Sequence, residues 1–302
     1  MEPGPSSGDP PADEETVTWR ELHREALSRL ERLEVDSPAQ EARWIVEVAS
    51  GHEGTRYLSG LDALCTRRGV ARFDRMMSRR EMGEPLQYVL GRWGFRTLDL
   101  FVDRRVLIPR PETEVVAQVA LDELGRHEAA VVFAIDLGTG SGAIGLSLVV
   151  EDLRSQVLLT DVSPDALAVA RANLAGVGRP GARVTIAEGP WFAAVDPSLR
   201  GQVHVVVSNP PYVAADEELP AVVREWEPAG ALVAGQTGLE DAEVIIGEAG
   251  GWLCDGGALV VELAPHQLQE AAALARDAGF ADVEILADQL GRDRVLRARG
   301  TS

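Results

Sequence analysis

A strand that breaks into glycines leaves a chain few folds to choose from. Phe133-Ala134-Ile135-Asp136-Leu137 runs straight into Gly138-Thr139-Gly140-Ser141-Gly142, and helical periodicity follows over 142–150. Residues without a Cβ let the backbone turn sharply and lie against a ligand. The next helix points its free N–H groups into the same crevice. The alternation then continues. Strands are predicted over 130–137, 157–160, 184–187, 203–208, 258–263, 283–287 and 294–298. Helices are predicted from the Ser163-Pro164-Asp165 cap to about 175, over 239–249 and over 265–279. This order predicts an α/β fold, doubly wound, with a mostly parallel sheet and helices on both faces. No internal repeat is visible.

Asp161 lies nineteen residues after Gly142, at the end of the next strand. A carboxylate there can accept both ribose hydroxyls of a nucleotide. The dinucleotide pattern is Gly-x-Gly-x-x-Gly. Here the third glycine comes one place earlier, and Asp136 precedes the loop. That pattern suits S-adenosylmethionine, which has no pyrophosphate, with Asp136 near its methionine end. A nicotinamide cofactor is the weaker alternative.

The run Val203-His204-Val205-Val206-Val207-Ser208 ends in Asn209-Pro210-Pro211-Tyr212. An apolar run of this kind suits a central parallel strand. Ligands of open α/β sheets bind beyond the carboxyl ends of strands, where Asn209 sits. Pro210 biases Asn209 toward an extended conformation, and Pro211 restricts Pro210. The Asn209 side-chain oxygen and the Pro210 carbonyl can then converge as two acceptors. Two acceptors facing one point fit a planar –NH2 group. Tyr212 can cover its face. Such a clamp aims an amide or amine nitrogen at an electrophilic methyl.

Residues 1–15 are rich in Pro, Gly, Ser and acids, which predicts a disordered tail and no secretory signal. Residues 16–82 are predicted to be a small helical bundle. Thr18-Trp19-Arg20-Glu21 reads as a capping box, Ser37-Pro38-Ala39-Gln40 repeats the start signal, and further segments fall near 61–67 and 70–82. Residues 83–110 are predicted to be a β-hairpin linker, with the cofactor-binding domain over 111–302. Pro111 suits a first helical position, with Glu112 and Glu114 at the positive end. The formal net charge of −19 argues against direct nucleic-acid binding and for a small molecule or a basic protein as partner. No run approaches the ~18 apolar residues of a membrane span. Cys65 and Cys254 read as reduced, buried thiols, and no His or Cys pair has the spacing of metal ligands. The expected compartment is the cytoplasm, with no metal and no membrane.

Asn-Pro-Pro-Tyr at a strand end, after a glycine loop, resembles the amino-group methyltransferases. Further segments narrow the likeness: Gly83-Glu84-Pro85, Leu107-Ile108-Pro109-Arg110-Pro111-Glu112-Thr113-Glu114, Trp226-Glu227-Pro228 and Gly291-Arg292-Asp293-Arg294. With them, residues 18–299 resemble the peptide chain release factor glutamine methyltransferases. The resemblance implies a Rossmann-like class I methyltransferase behind a helical substrate-recognition domain. It implies transfer from S-adenosylmethionine to the side-chain amide of a Gly-Gly-Gln motif in bacterial release factors. By position, Gly138, Thr139, Gly140, Ser141, Gly142, Asp161, Trp191 and Asn209 would contact the cofactor. Asn209, Pro210, Pro211 and Tyr212 would hold the glutamine, with Arg110 and Glu112 shaping the wall. One departure is Pro190, which stands where the family usually has an Asp near the adenine; Glu188 is a candidate substitute. Another is Glu262-Leu263-Ala264-Pro265-His266, in place of a glycine-containing turn. The alternatives are an adenine-N6 nucleic-acid methyltransferase, a methyltransferase for another protein glutamine, and a nicotinamide-dependent or non-catalytic nucleotide-binding protein.

Overall fold

The computed structural model describes residues 17–300; the predicted tail at 1–15 lies outside them. The chain divides into two compact units, up to Leu90 and from Gly91.

The first unit is helical: α1 (Trp19–Arg32), α2 (Pro38–Ser50), α3 (Thr55–Gly60), α4 (Arg67–Glu81) and α5 (Leu86–Leu90). The predicted capping box forms. The Glu21 N–H donates to Thr18 Oγ1, and the Thr18 N–H donates to Glu21 Oε2 at 2.8 Å. The apolar stripes of α1, α2 and α4 meet in one core that includes Leu22, Leu30, Ile45, Val46, Phe73 and Met77. Two local readings change. α2 starts at Pro38 as predicted, but Ser37 makes no side-chain cap, because its backbone (φ −139°, ψ 66°) leaves the extended region that Thr18 occupies. The segment near 61–67 is not helical. It serves α1 instead: the Trp19 and Arg20 N–H groups, which no helical carbonyl reaches, donate to Ala63 O and Leu61 O.

The predicted hairpin over 83–110 is shorter than expected. Only β1 (Trp93–Phe95) and β2 (Leu98–Leu100) pair, and Leu86–Leu90 is α5. Pro85 immediately precedes that helix, where its missing N–H costs nothing. Residues 101–112 carry no regular element, and α6 (Thr113–Gly125) opens two residues past Pro111.

The second unit continues as β3 (Val132–Leu137), α7 (Ala143–Glu151), β4 (Ser155–Asp161), α8 (Pro164–Val177), β5 (Val184–Glu188), β6 (Val203–Ser208), α9 (Ala221–Trp226), α10 (Glu240–Ala249), β7 (Leu253–Glu262), α11 (Leu268–Asp277), β8 (Asp282–Ala287) and β9 (Asp293–Arg299). Seven strands pair in the order β5-β4-β3-β6-β7-β9-β8. All pairs are parallel except those of β9 with β7 and β8. Val205, Val206 and Val207 are fully buried, as a strand covered on both faces requires. The strand order reverses between β3 and β6, and a crevice opens at such a point.

Candidate active site

Residues that follow β3, β4, β5 and β6 line one cavity of 510 Å³, within the usual range for a small-molecule site. Gly140 shows why a glycine is needed on its floor. Its φ is +54°, and a Cβ there would meet nothing within 4 Å, so the backbone stays open to a ligand. The loop is held from below. Asp136 is buried, and its Oδ2 accepts from Thr139 Oγ1 at 2.6 Å and from the Gly145 N–H at 2.9 Å. Burial pushes its pKa up to about 6. Asp161 Oδ2 accepts from the Gly140 N–H at 2.9 Å, and its Oδ1 accepts from the Ser163 N–H at 2.8 Å. Burial raises this carboxyl as well. Each oxygen keeps a further lone pair for a ligand.

Of the predicted cofactor residues, Gly138, Thr139, Gly140, Ser141, Asp161, Trp191 and Asn209 line the cavity. Gly142 does not. It caps α7 with φ +85°, and a Cβ there would press on Leu146. Trp191 sits at φ +44°, a strained conformation for a bulky residue, with its ring next to the Gly138 backbone. Pro190 is in the lining and Glu188 is not. Asp241, near the start of α10, lines the cavity and faces the Trp191 indole, whose N–H tempers the rise that burial imposes on this carboxyl. An acid in the first turn of a helix reads from sequence as a partner for the helix dipole, which hid Asp241 from view.

The predicted clamp is partly gathered. Asn209 and Pro211 line the cavity, while Pro210 is buried behind it. Tyr212 packs against the core instead, and its carbonyl accepts from Gln267 Nε2 at 2.8 Å. Burial pushes the Tyr212 phenol up to about 12. Asn209 Nδ2 donates to Thr113 Oγ1 at 3.4 Å, and Asn209 Oδ1 is buried with no hydrogen-bond partner.

Three of the segments that carried the family likeness, 107–114, 226–228 and 291–294, meet behind this wall. Arg110 Nη2 donates to Glu227 Oε1 at 2.5 Å, and the Ile108 N–H donates to Glu227 Oε2 at 3.1 Å. Arg294 stands 3.9 Å from Glu112. Arg110 and Glu112 thus brace the wall without lining it, while Pro109 and Thr113 face the cavity.

Away from the cavity, His127, His204 and Cys254 bring potential ligand atoms within 4.8 Å of one another, a grouping their sequence spacing concealed. The Phe133 N–H donates to His204 Nδ1 at 3.1 Å. That bond occupies the Nδ1 lone pair and leaves the ring proton on Nε2. The two rings pack edge to face, with centroids 4.6 Å apart. Cys65 and Cys254 are free and only half-buried.

Known proteins share this architecture. A family model described as PrmC N-terminal domain matches residues 21–91, and one described as Methyltransferase small domain matches residues 115–229. The release factor glutamine methyltransferase of Moorella thermoacetica is 39% identical over 286 residues, covering 93% of this chain and 98% of its own. That of Deinococcus radiodurans is 37% identical over 281 residues, with coverage of 93% and 98%. Among solved structures, the hMettl16 catalytic domain in complex with the MAT2A 3'UTR hairpin 6 matches with a TM-score of 0.53 at 16% identity, over 77% of this chain and 81% of that one. That likeness concerns the fold alone.

Fold and family models together define an S-adenosylmethionine-dependent methyltransferase with a Rossmann-like, class I core. Within that class, the chain belongs to the release factor glutamine methyltransferase family.

Proposed function

We propose that this chain transfers a methyl group from S-adenosylmethionine to N5, the side-chain amide nitrogen, of the glutamine in the Gly-Gly-Gln motif of bacterial peptide chain release factors. The observation that carries the reading is Asn209 Oδ1, a buried acceptor without a partner on a residue that lines the cavity. An unmade buried hydrogen bond costs roughly 1–3 kcal/mol. An arriving –NH2 group would relieve that cost with one N–H; the second acceptor of the clamp would be the Pro210 carbonyl, on a residue that the cavity lining does not itself include. Pro210 and Pro211 keep the backbone stiff, so the acceptors hold their places. Polarising both N–H groups raises electron density on a nitrogen whose lone pair is otherwise delocalised into its carbonyl.

The bound cofactor supplies an electrophilic methyl group on a sulfonium centre. Gly138 to Ser141 and Asp161 would hold its ribose and methionine end, with Trp191 against the adenine. Asp241 would offer the carboxylate that Pro190 takes away from its usual position. Residues 17–90 would grip the release factor apart from the reacting glutamine.

The substrate is a protein, with no direct nucleic-acid contact, no metal and no membrane in the reaction, and the compartment is the cytoplasm, where release factors act. Residues 91–300 carry 17 arginines against 31 acidic residues, which disfavours a polyphosphate strand and so the adenine-N6 reading. No helix among the described residues is long and apolar enough to cross a membrane.

The test is methyl transfer to a purified bacterial release factor, read by peptide mass spectrometry. A single methyl on the Gly-Gly-Gln glutamine is expected, and none when that glutamine is alanine. Transfer to DNA or RNA adenine in its place would overturn the proposal.

A further inference from the structure

The strand next to Asn209 ends in a carboxylate to which the mechanism so far gives no task. Ser208 pairs with Val261 in the parallel ladder between β6 and β7, so Asn209 and Glu262 are the next neighbours across it. Thr113 opens α6, the helix packed on both strands. Glu262 has no exposed surface, and neither of its carboxylate oxygens has a hydrogen bond of standard geometry. The groups that act on its carboxyl are Thr113 by hydrogen bonding and, through their charge, Glu112 from the start of α6, Arg110 from the segment before it and Arg294 from β9, while its own charge acts on Tyr212 in the turn after β6. Thr113 is the one already joined to Asn209.

We infer that Glu262 and Thr113 are positioning residues that set which end of the Asn209 amide faces the substrate. The inference rests on the role given to Asn209 above. A hydroxyl has one proton and two lone pairs. An ionised Glu262 can only accept, so it draws the Thr113 proton. Thr113 Oγ1 then shows Asn209 nothing but lone pairs, and the –NH2 end of the amide must turn to meet it. Asn209 Oδ1 is left for the substrate nitrogen. A protonated Glu262 can instead donate to Thr113, which frees the Thr113 proton for Asn209 and removes the preference. The Asn209 contact at 3.4 Å is long, as such bonds often are before substrate closes them. Burial pushes Glu262 up to about 7, so this device switches near neutral pH.

The experiment compares kcat, release-factor KM and cofactor Kd across pH 6–9 for the wild type, Thr113→Val, Thr113→Ser, Glu262→Gln and the Thr113→Val/Glu262→Gln pair. The substitutions are close to isosteric. In the wild type, kcat should rise with pH through about 7. Thr113→Val should lower kcat about tenfold at pH 8, the worth of one net hydrogen bond, with KM and Kd within about twofold; Thr113→Ser should restore it. Glu262→Gln should flatten the pH profile, and the pair should be no slower than Thr113→Val alone. Wild-type kcat in Thr113→Val, a pH rise that survives Glu262→Gln, or additive losses in the pair would overturn the relay alone. A wild type that methylates no release factor would overturn the functional reading and the relay with it.

Discussion

The helical unit and the carboxyl end of the sheet treat their polar groups in opposite ways. In residues 17–90, twelve arginines balance twelve acidic residues. The less exposed ones are paired: Arg29 with Glu25 and Glu81, Arg80 with Glu41, Arg79 with Glu84. Among the described residues, none of the buried side-chain polar atoms without a partner belongs to this unit. All lie at or beyond Asn209; Asn209 lines the cavity, and Glu262 and Arg294 stand behind it. A bundle whose buried polar side chains are satisfied gains stability and specificity of packing. A wall that withholds partners loses some of both, and such losses are characteristic of sites that must receive something.

Four substitutions, two in each region, test that contrast. Phe73→Ala empties the middle of the bundle core, where Phe73 is fully buried. It should cost about 3–5 kcal/mol by urea denaturation, while the affinity for S-adenosylmethionine stays within a few-fold. Asn209→Ala should do the reverse, cutting kcat on the order of a hundredfold with cofactor affinity within a few-fold and melting temperature nearly unchanged. Unchanged turnover would remove the clamp from the mechanism.

Glu262→Gln should raise stability in alkaline conditions, because it removes a buried charge. The Glu262 carboxyl titrates near 7 in the folded chain against an ordinary value of 4.5. The folded state therefore holds the proton more tightly, and the contribution of this group falls as pH rises from about 4.5 to 7 and is flat above. The variant should gain roughly 3 kcal/mol on the wild type between pH 4.5 and 8; denaturation at the two pH values gives the difference directly. The smallest effect is expected from Thr18→Ala, which breaks the capping box of α1 and should cost about 1 kcal/mol, with no change in kcat.

Much of this molecule could be read along the chain, and the failures have identifiable physical causes. The strand and helix order of the catalytic unit, the Thr18 and Ser163 caps and the glycine loop all rest on short-range rules, and they appear where the pattern put them. The helix near 61–67 fails because that backbone is committed to the open end of α1, a contact across forty residues that no local propensity encodes. The hairpin over 83–110 shrinks because glycines mark breaks without saying what lies between them. The sequence places Tyr212 over the substrate; in the structure its partly buried ring packs against the core, and its carbonyl accepts from Gln267, far along the chain.

Periodicity and turn chemistry act between neighbours, so strand, helix and loop identities, and the residues at the strand ends, follow from residue order. Which of those strand ends share a wall depends on the order β5-β4-β3-β6-β7-β9-β8, and burial then sets their chemistry. Glu262 in the sequence is an acid after an apolar run. Beside Asn209, beneath α6 and away from water, it becomes a carboxyl that titrates near 7, because the cost of charging a group depends on what surrounds it and not on what precedes it in the chain.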